Sequence, residues 1–588
     1  MEAQTKTHST GSVRACQNCK KDFTIESEDF NFYEKIKVPP PTFCPECRFV
    51  RRLIVRNERS LYKRKCDLCG EEKILIFPKD SPYKVYCFDC FFGDKWGSEE
   101  FAQEYDFSRP FFEQFQELLK KTPRLGIIKQ GLIINSEYTN RVSDLKNCHL
   151  IFASADNENC YYGTDFWNSK DSMDCFNVKK CELCIECIDC SNCSNLKYSQ
   201  ECNSCIDSWF LHNCRNCQNC FGCVNLRSKN YCIYNEQYTK EEYFSKLAEI
   251  KTSNRTELEK IQEKVKDFAK NFVVPSMVGY HSVNVSGNWI DNSKNVHNSF
   301  NCNKIEDGKN LFGVMESKDV MDYTYWGKSC ELMYEVCNIG RQCASVMFSD
   351  ECWDQLTQSE YCINCFSSSN LFGCIGLRKK SYCIFNRQYT KEEYQELIPS
   401  IKKHMDEMPY TDKRGIVYKY GEFFPFGTFP FAYNESIAQA YVPKTKEEAI
   451  EEGHAWGESK SKNYALTILT NNLLENIDTV NDSILNEVIA CAHEGKCSQQ
   501  CTEAFKITEN ELKMYRRFNL PLPKLCPNCR HYERLAKRQP IKLWHRQCMC
   551  DKTTHNHKGK CEVEFETSYA PDHPEIVYCE KCYQQEVY

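Results

Sequence analysis

The side chains in this sequence best suited to chemistry are its cysteines. Four Cys-x-x-Cys pairs, Cys16/Cys19, Cys44/Cys47, Cys66/Cys69 and Cys87/Cys90, follow one another near the N-terminus, with 25 residues from Cys19 to Cys44. Each such turn presents two sulfurs to one ion, so two pairs make one tetrahedral Cys₄ site, and the run predicts two zinc sites in tandem. The pattern returns near the C-terminus. Ala504 to Arg530 aligns without a gap to Asp22 to Arg48, and Cys501 to Cys526 again spans 25 residues. The third site is therefore expected from Cys497, Cys501, Cys526 and Cys529. In the last site Cys561 to Cys579 spans 18 residues, as does Cys69 to Cys87. This predicts Cys561, Cys579 and Cys582 as ligands, completed by either Cys548 or Cys550, with His555 and His557 as further candidates. About four zinc ions are expected as the only cofactor.

Other chemistry is hard to find. There is no P-loop, dinucleotide glycine fingerprint, nucleophile elbow or His-Glu-x-x-His motif. The segment CAHEGKC (Cys491 to Cys497) has His and Glu adjacent, not one residue apart as zinc deamination requires. A closed Cys₄ site also lacks the open coordination position of a catalytic zinc. The expectation is a non-enzyme, with a metalloenzyme or a metal or redox store as lesser alternatives.

Between the paired zinc sites lie basic segments. Arg48, Arg51, Arg52, Arg56, Arg59, Lys63 and Arg64 gather around one acid, Glu58, and the C-terminal copy carries Arg530, Arg534, Lys537, Arg538 and Arg546. Beside zinc ribbons such runs could follow a phosphate backbone, with Tyr62 or Trp544 stacking on bases. Equally, they could balance the excess charge of neighbouring thiolates.

Composition sets the frame. The 588 residues include 42 cysteines and carry a formal charge of -6. Each occupied Cys₄ site adds about -2, so any anion binding must be local. No basic-then-apolar leader precedes Cys16 and no apolar run is long enough for a bilayer, so thiols and metal thiolates in the cytoplasm are expected, not disulfides or membrane association.

The elements between the zinc modules are duplicated. FGCVNLRSKNYCIYNEQYTKEEY (Phe221 to Tyr243) recurs as FGCIGLRKKSYCIFNRQYTKEEY (Phe372 to Tyr394). Running into the first copy, cysteines recur nine residues apart: Cys175, Cys184, Cys193 and Cys202, then Cys205, Cys214, Cys223 and Cys232. A fixed period means stacked repeats, read as a β-solenoid with buried Cys ladders and Asn or Ser at the corners. The alternative is an iron–sulfur cluster in CELCIECIDCSNC. Against it, Cys217 and Cys220 become Ser368 and Leu371 in the second copy. A ladder tolerates that exchange and a metal cage does not. Thr239 with Glu242, and Thr390 with Glu393, form capping boxes that start helices suited to covering the solenoid ends. The stripe Phe111, Phe112, Phe115, Leu118 and Leu119 predicts a helix packing the N-terminal module onto the first solenoid, next in the chain, and the aromatic loop GEFFPFGTFPFAYNE is expected to pack on the second solenoid.

CQNC through CPECRFVRRL, with Phe23, Phe32, Tyr33, Pro41, Pro45 and Arg48, resembles a family of bacterial zinc-ribbon domains over about 40 residues. Nearly the whole order, including the terminal FETSYAPDHPEIVYCEKCYQQEVY, resembles cysteine-rich zinc-ribbon proteins of small-genome bacteria. That resemblance implies zinc binding and no activity.

The resulting expectation is a multidomain, mainly β protein: zinc-ribbon or treble-clef-like modules flanking a duplicated Cys-ladder β-solenoid with capping helices. Its divisions are a tandem zinc module (12–96), a helical connector (97–124), solenoid 1 (125–237), linking helices (238–272), solenoid 2 (273–388), a capping helix with aromatic connector (389–490) and a second zinc module (491–588). The expected function is a scaffold engaging a macromolecule, protein or nucleic acid, without a small-molecule cofactor.

Overall fold

In both solenoids an inward-facing side chain recurs at every third residue. In the computed structural model, which describes residues 11–458 and 464–588, a left-handed backbone conformation recurs with the same period: Asn147, Leu150, Ala153, Asp156, Asn159 and Tyr162 all have φ between 48° and 58°. Each such residue turns the chain, and the residue after it points into the core. Four turns close one coil, and parallel neighbours lie twelve residues apart: Thr164 pairs with Phe176, and Phe176 with Ile188. Left-handed conformations are disfavoured for most side chains but tolerated by Asn and Asp. These residues bond in ladders along the corners, Asn147 Nδ2 donating to Asn159 Oδ1 at 3.1 Å and Asn159 Nδ2 to Asp171 Oδ1 at 2.8 Å.

This corrects the nine-residue period. Nine residues are three sides of a four-sided coil, so Cys184 and Cys193 do not stack, whereas Cys181 and Cys193 do, one coil apart. Cysteine occupies the inward positions with Val, Leu, Ile and Phe, and buried Cys148, Cys160, Cys175 and Cys187 share one core with Val142, Leu145 and Phe166. The Cys187 thiol has the carbonyls of Ile185 and Leu196 within reach of its one proton, at 3.4 and 3.3 Å. Serine does the same work: Ser172 Oγ donates to the Lys170 carbonyl at 2.8 Å and accepts from the Cys184 amide at 3.1 Å. None of the 42 cysteines, all of them among the described residues, is in a disulfide.

The chain divides into two compact units, each discontinuous in sequence. The first contains Met1–Ile127 and Met277–Trp456, the second Ile128–Ser276 and Gly457–Tyr588. In the first unit the N-terminal Cys-rich module therefore docks on the second solenoid. The helix Phe111–Lys121 belongs to this packing: Phe111 meets Phe372 and Phe385 at ring distances of 5.4 and 5.1 Å, and Phe112 meets Tyr361 at 5.5 Å. The expectation that this stripe packs on the first solenoid is thus replaced by packing on the second. The aromatic loop joins the same core, with Phe424 against Phe115 and Tyr361. Three coils of this solenoid carry thirteen residues, the extra one marked by successive positive-φ residues: the run Tyr325–Ser329 and the pairs Arg341/Gln342 and Asp354/Gln355.

In the second unit the C-terminal Cys-rich module docks on the first solenoid. Leu512, Tyr515 and Phe518 pack with Tyr162, Met173, Ile185, Phe210 and Phe221, which face outward from the coils.

Both solenoids end alike. A short antiparallel strand folds back, Glu236–Gln237 on Asn230–Ile233 and Arg387–Gln388 on Ser381–Ile384, and a helix comes next, Lys240–Ala248 or Lys391–Glu407. Thr239 and Thr390 accept from the Glu242 and Glu393 amides at 3.3 and 3.2 Å, while the two carboxylates accept from the threonine amides in return. The last ladder edge is thereby covered. Among the described residues no helix is long and apolar enough to cross a membrane.

Candidate metal centres

Each Cys₄ group is built from a hairpin and a helix start. In the first, strands Ser12–Ala15 and Asp22–Ile25 pair, Cys16 comes directly after the first strand and Cys19 stands three residues before the second. Cys44 is the N-cap of the helix Pro45–Ile54, and Cys47 lies in its first turn. The Cys44 amide donates to Cys16 Sγ at 3.2 Å, and the N-terminal end of a helix favours a thiolate. The same bond recurs in every module: Cys87 amide to Cys66 Sγ at 3.3 Å, Cys526 to Cys491 at 3.3 Å, and Cys579 to Cys548 at 3.2 Å. Burial opposes ionisation of Cys66, but amide hydrogen bonds from Cys69 and Cys87 hold its thiol down to about 7.

That recurring bond corrects one expected assignment and decides another left open. The hairpin Ile489–Ala490 with Ala504–Phe505 puts Cys491 directly after its first strand, in the position of Cys16, and Cys501 three residues before the second. The third group is therefore Cys491, Cys501, Cys526 and Cys529, which corrects the expected Cys497. Cys497 is not remote, its Sγ lying 3.7 Å from Cys529 Sγ, but it sits in an enlarged hairpin tip. In the last group the hairpin Trp544–Gln547 with Glu564–Thr567 likewise selects Cys548 as first ligand and Cys561 as second, leaving Cys550 in an enlarged tip. Spacing alone favours Cys497, because it keeps the short separation from Cys501. Strand register carries the better signal.

The groups have the dimensions of a metal site. All four sulfurs in each lie within 4.8 Å of one another. Around a zinc-sized ion, sulfurs at about 2.3 Å would stand about 3.8 Å apart. Cys19 and Cys44 are separated by 3.7 Å, Cys491 and Cys529 by 3.8 Å, and Cys561 and Cys579 by 3.9 Å. The second group, Cys66, Cys69, Cys87 and Cys90, agrees with the sequence expectation.

The basic segments lie elsewhere than on an open face. Arg48, Arg51 and Arg52 are buried against the second solenoid: Arg48 pairs with Asp322 at 2.9 Å, Arg51 with Glu335 at 2.6 Å and Glu422 at 3.1 Å, and Arg52 with Asp322 at 3.3 Å. Arg530 and Arg534 both pair with Asp174 at 2.8 Å, Arg534 also with Glu186 at 3.2 Å, and Arg538 with Asp189 at 2.8 Å. Arg56 pairs with Glu58 and lies over the Tyr325 ring, while Arg64 is held by Asp67 at 2.9 Å. Arg546 donates to the Ala570 carbonyl at 3.1 Å. Arg59 is half-buried, and Lys63 and Lys537 are exposed beside Glu72 and Glu186. Arg48, Arg51, Arg52, Arg530, Arg534 and Arg538 thus differ from the expected track, because a guanidinium buried on a carboxylate has no face left for phosphate, whereas Lys63 and Lys537 remain on the surface. Helical periodicity, which puts Arg48 and Arg52 on one side of the helix Pro45–Ile54, was the available signal.

No family model matches the chain, and no curated protein matches it significantly. Among solved structures, one from Desulfovibrio desulfuricans G20 described as a "putative acetyltransferase" aligns with half of this chain and 86% of its own, at 8% identity and a TM-score of 0.09. At that score the likeness carries no argument about fold or activity.

Proposed function

We propose that this chain is a non-catalytic zinc-binding scaffold, in which Cys₄ zinc ions hold small modules in shape and the solenoids offer extended surfaces to a macromolecular partner. The observation that carries the reading is that each group already supplies four sulfur donors, leaving no coordination position for a substrate or an activated water. Cysteines in thiolate sites and ladders, with no disulfide among them, suit a reducing, cytoplasmic setting.

A polypeptide partner is favoured over a nucleic acid. Exposed rows on successive coils alternate in sign: Lys146 and Lys170 flank Glu158 at 2.8 and 3.5 Å, and Lys304 meets Glu316 at 3.3 Å. A polyanion gains little from such a face, whereas a polypeptide carrying both charges can match it.

The test has two parts. Elemental analysis of the full chain, purified under reducing conditions without added metal, should find at least four zinc ions and no stoichiometric iron. Cross-linking in cells should then join Lys146, Lys170 or Lys304 to another polypeptide. Stoichiometric iron, or cross-links to RNA or DNA alone, would overturn the corresponding half of the reading.

A further inference from the structure

The enlarged hairpin tip of the last module carries a second set of metal-ligand atoms. Cys550, His555, His557 and Cys582 each present one such atom, all within 4.8 Å of one another, and Cys582 also belongs to the neighbouring Cys₄ group. His555 Nδ1 lies 3.1 Å from Cys550 Sγ, and His557 Nε2 lies 3.3 Å from it. Tetrahedral nitrogen and sulfur ligands of zinc would stand about 3.6 Å apart, so these separations are just inside those of a filled site.

The two rings each bring a nitrogen to one sulfur. His557 Nδ1 is 2.8 Å from the Gly559 carbonyl oxygen, a pure acceptor, so this nitrogen carries the ring proton. In a neutral ring Nε2 then turns a bare lone pair toward Cys550. His555 brings Nδ1 to the same sulfur and places Nε2 3.4 Å from the Glu586 carboxylate. A cation among these atoms would take a lone pair from each ring and from the Cys550 thiolate, and an imidazole whose far nitrogen donates to a carbonyl, as His557 does, is a usual form of metal-bound histidine.

We infer that the last module holds a binuclear zinc centre, with one ion on Cys548, Cys561, Cys579 and Cys582, a second on Cys550, His555 and His557, and the Cys582 thiolate bridging the two. Charge favours the pair. Five thiolates around one dication leave about -3, and a second dication reduces this to about -1. His555 and Cys550 are both buried, where uncompensated charge is costly. The enlarged tip of the third module differs, since its histidine, His493, is turned to Glu533 at 3.8 Å.

The inference rests on zinc occupying the Cys₄ groups, and the experiment separates the two. Native mass spectrometry of the zinc-loaded, reduced full chain should show five ions, and the double variant His555→Ala/His557→Ala should show four. Four ions in both proteins would overturn the binuclear centre while leaving the Cys₄ reading intact, and fewer than four in the unaltered chain would overturn both. A measurement independent of variant folding uses the unaltered chain loaded with ¹¹³Cd. One pair of ¹¹³Cd resonances should be mutually split through the shared sulfur, and resonances without that splitting would refute the bridge.

Discussion

The two units solve one docking problem with the same contacts. Arg48 and Arg530 occupy aligned positions in the two modules, and each reaches a buried Asp on its solenoid, Asp322 or Asp174. Four residues on, Arg52 and Arg534 reach those same carboxylates and a Glu on the next coil, Glu335 or Glu186, and each donates to a backbone carbonyl one coil earlier, that of Asn310 or Tyr162. Arg56 and Arg538 close the series on Asn338 and Asp189, at 3.4 and 2.8 Å. The duplicated object is therefore a module together with its solenoid seat, although in both units the seat lies hundreds of residues away in sequence. Burial is the leading influence on Glu335 and Glu511 and raises both carboxyls above their usual range, against the pull of Arg51 and Arg530 respectively. Pairs buried this deeply contribute more to a unique seat than to net stability, because desolvation consumes much of their attraction.

The modules differ in their hairpin tips. Cys16 and Cys19 are separated by two residues, whereas their counterparts Cys491 and Cys501 are separated by nine, with Cys497 between them. The largest expected effect tests this difference. Cys491→Ser should remove one ion and with it binding free energy on the order of 10 kcal/mol, while Cys497→Ser should leave the count unchanged by native mass spectrometry. The reverse result would mean that strand register does not choose the ligand.

Next in size is the shared seat. Asp174→Asn and Asp322→Asn each leave two buried arginines underpaired and should cost about 3–5 kcal/mol. Hydrogen exchange should rise over Pro527–Ala536 in the first variant and over Pro45–Ile54 in the second. A response in only one unit would break the parallel. A smaller change makes one seat resemble the other: Asp189→Asn replaces a charged acceptor of Arg538 by an amide like Asn338, with an expected loss of about 1 kcal/mol in chemical denaturation. The smallest effect belongs to the ladders. Cys187→Ser should cost about 1 kcal/mol or less, because Ser172 already makes the same carbonyl contact on another side of the coil. The metal count should not change, and a lost ion would make the ladder thiols ligands.

Much of this is legible in the chain. Paired Cys-x-x-Cys turns specify two Cys₄ groups because the four sulfurs come from two local turns, and the repeated Phe221 and Phe372 segments announce the duplication. Buried thiols at inward positions, and capping boxes at Thr239 and Thr390, are equally local. A period of nine suggests itself because several sides of each coil carry cysteine, so that residues three, nine and twelve apart all match. The ladder of paired backbones is what distinguishes twelve. Which Arg faces solvent, which solenoid receives which module, and whether Cys491 or Cys497 completes a site depend on contacts between residues far apart in sequence. Local spacing carries no record of them, and only packing places Asp174 against Arg530 or sets Cys491 beneath the Cys526 amide.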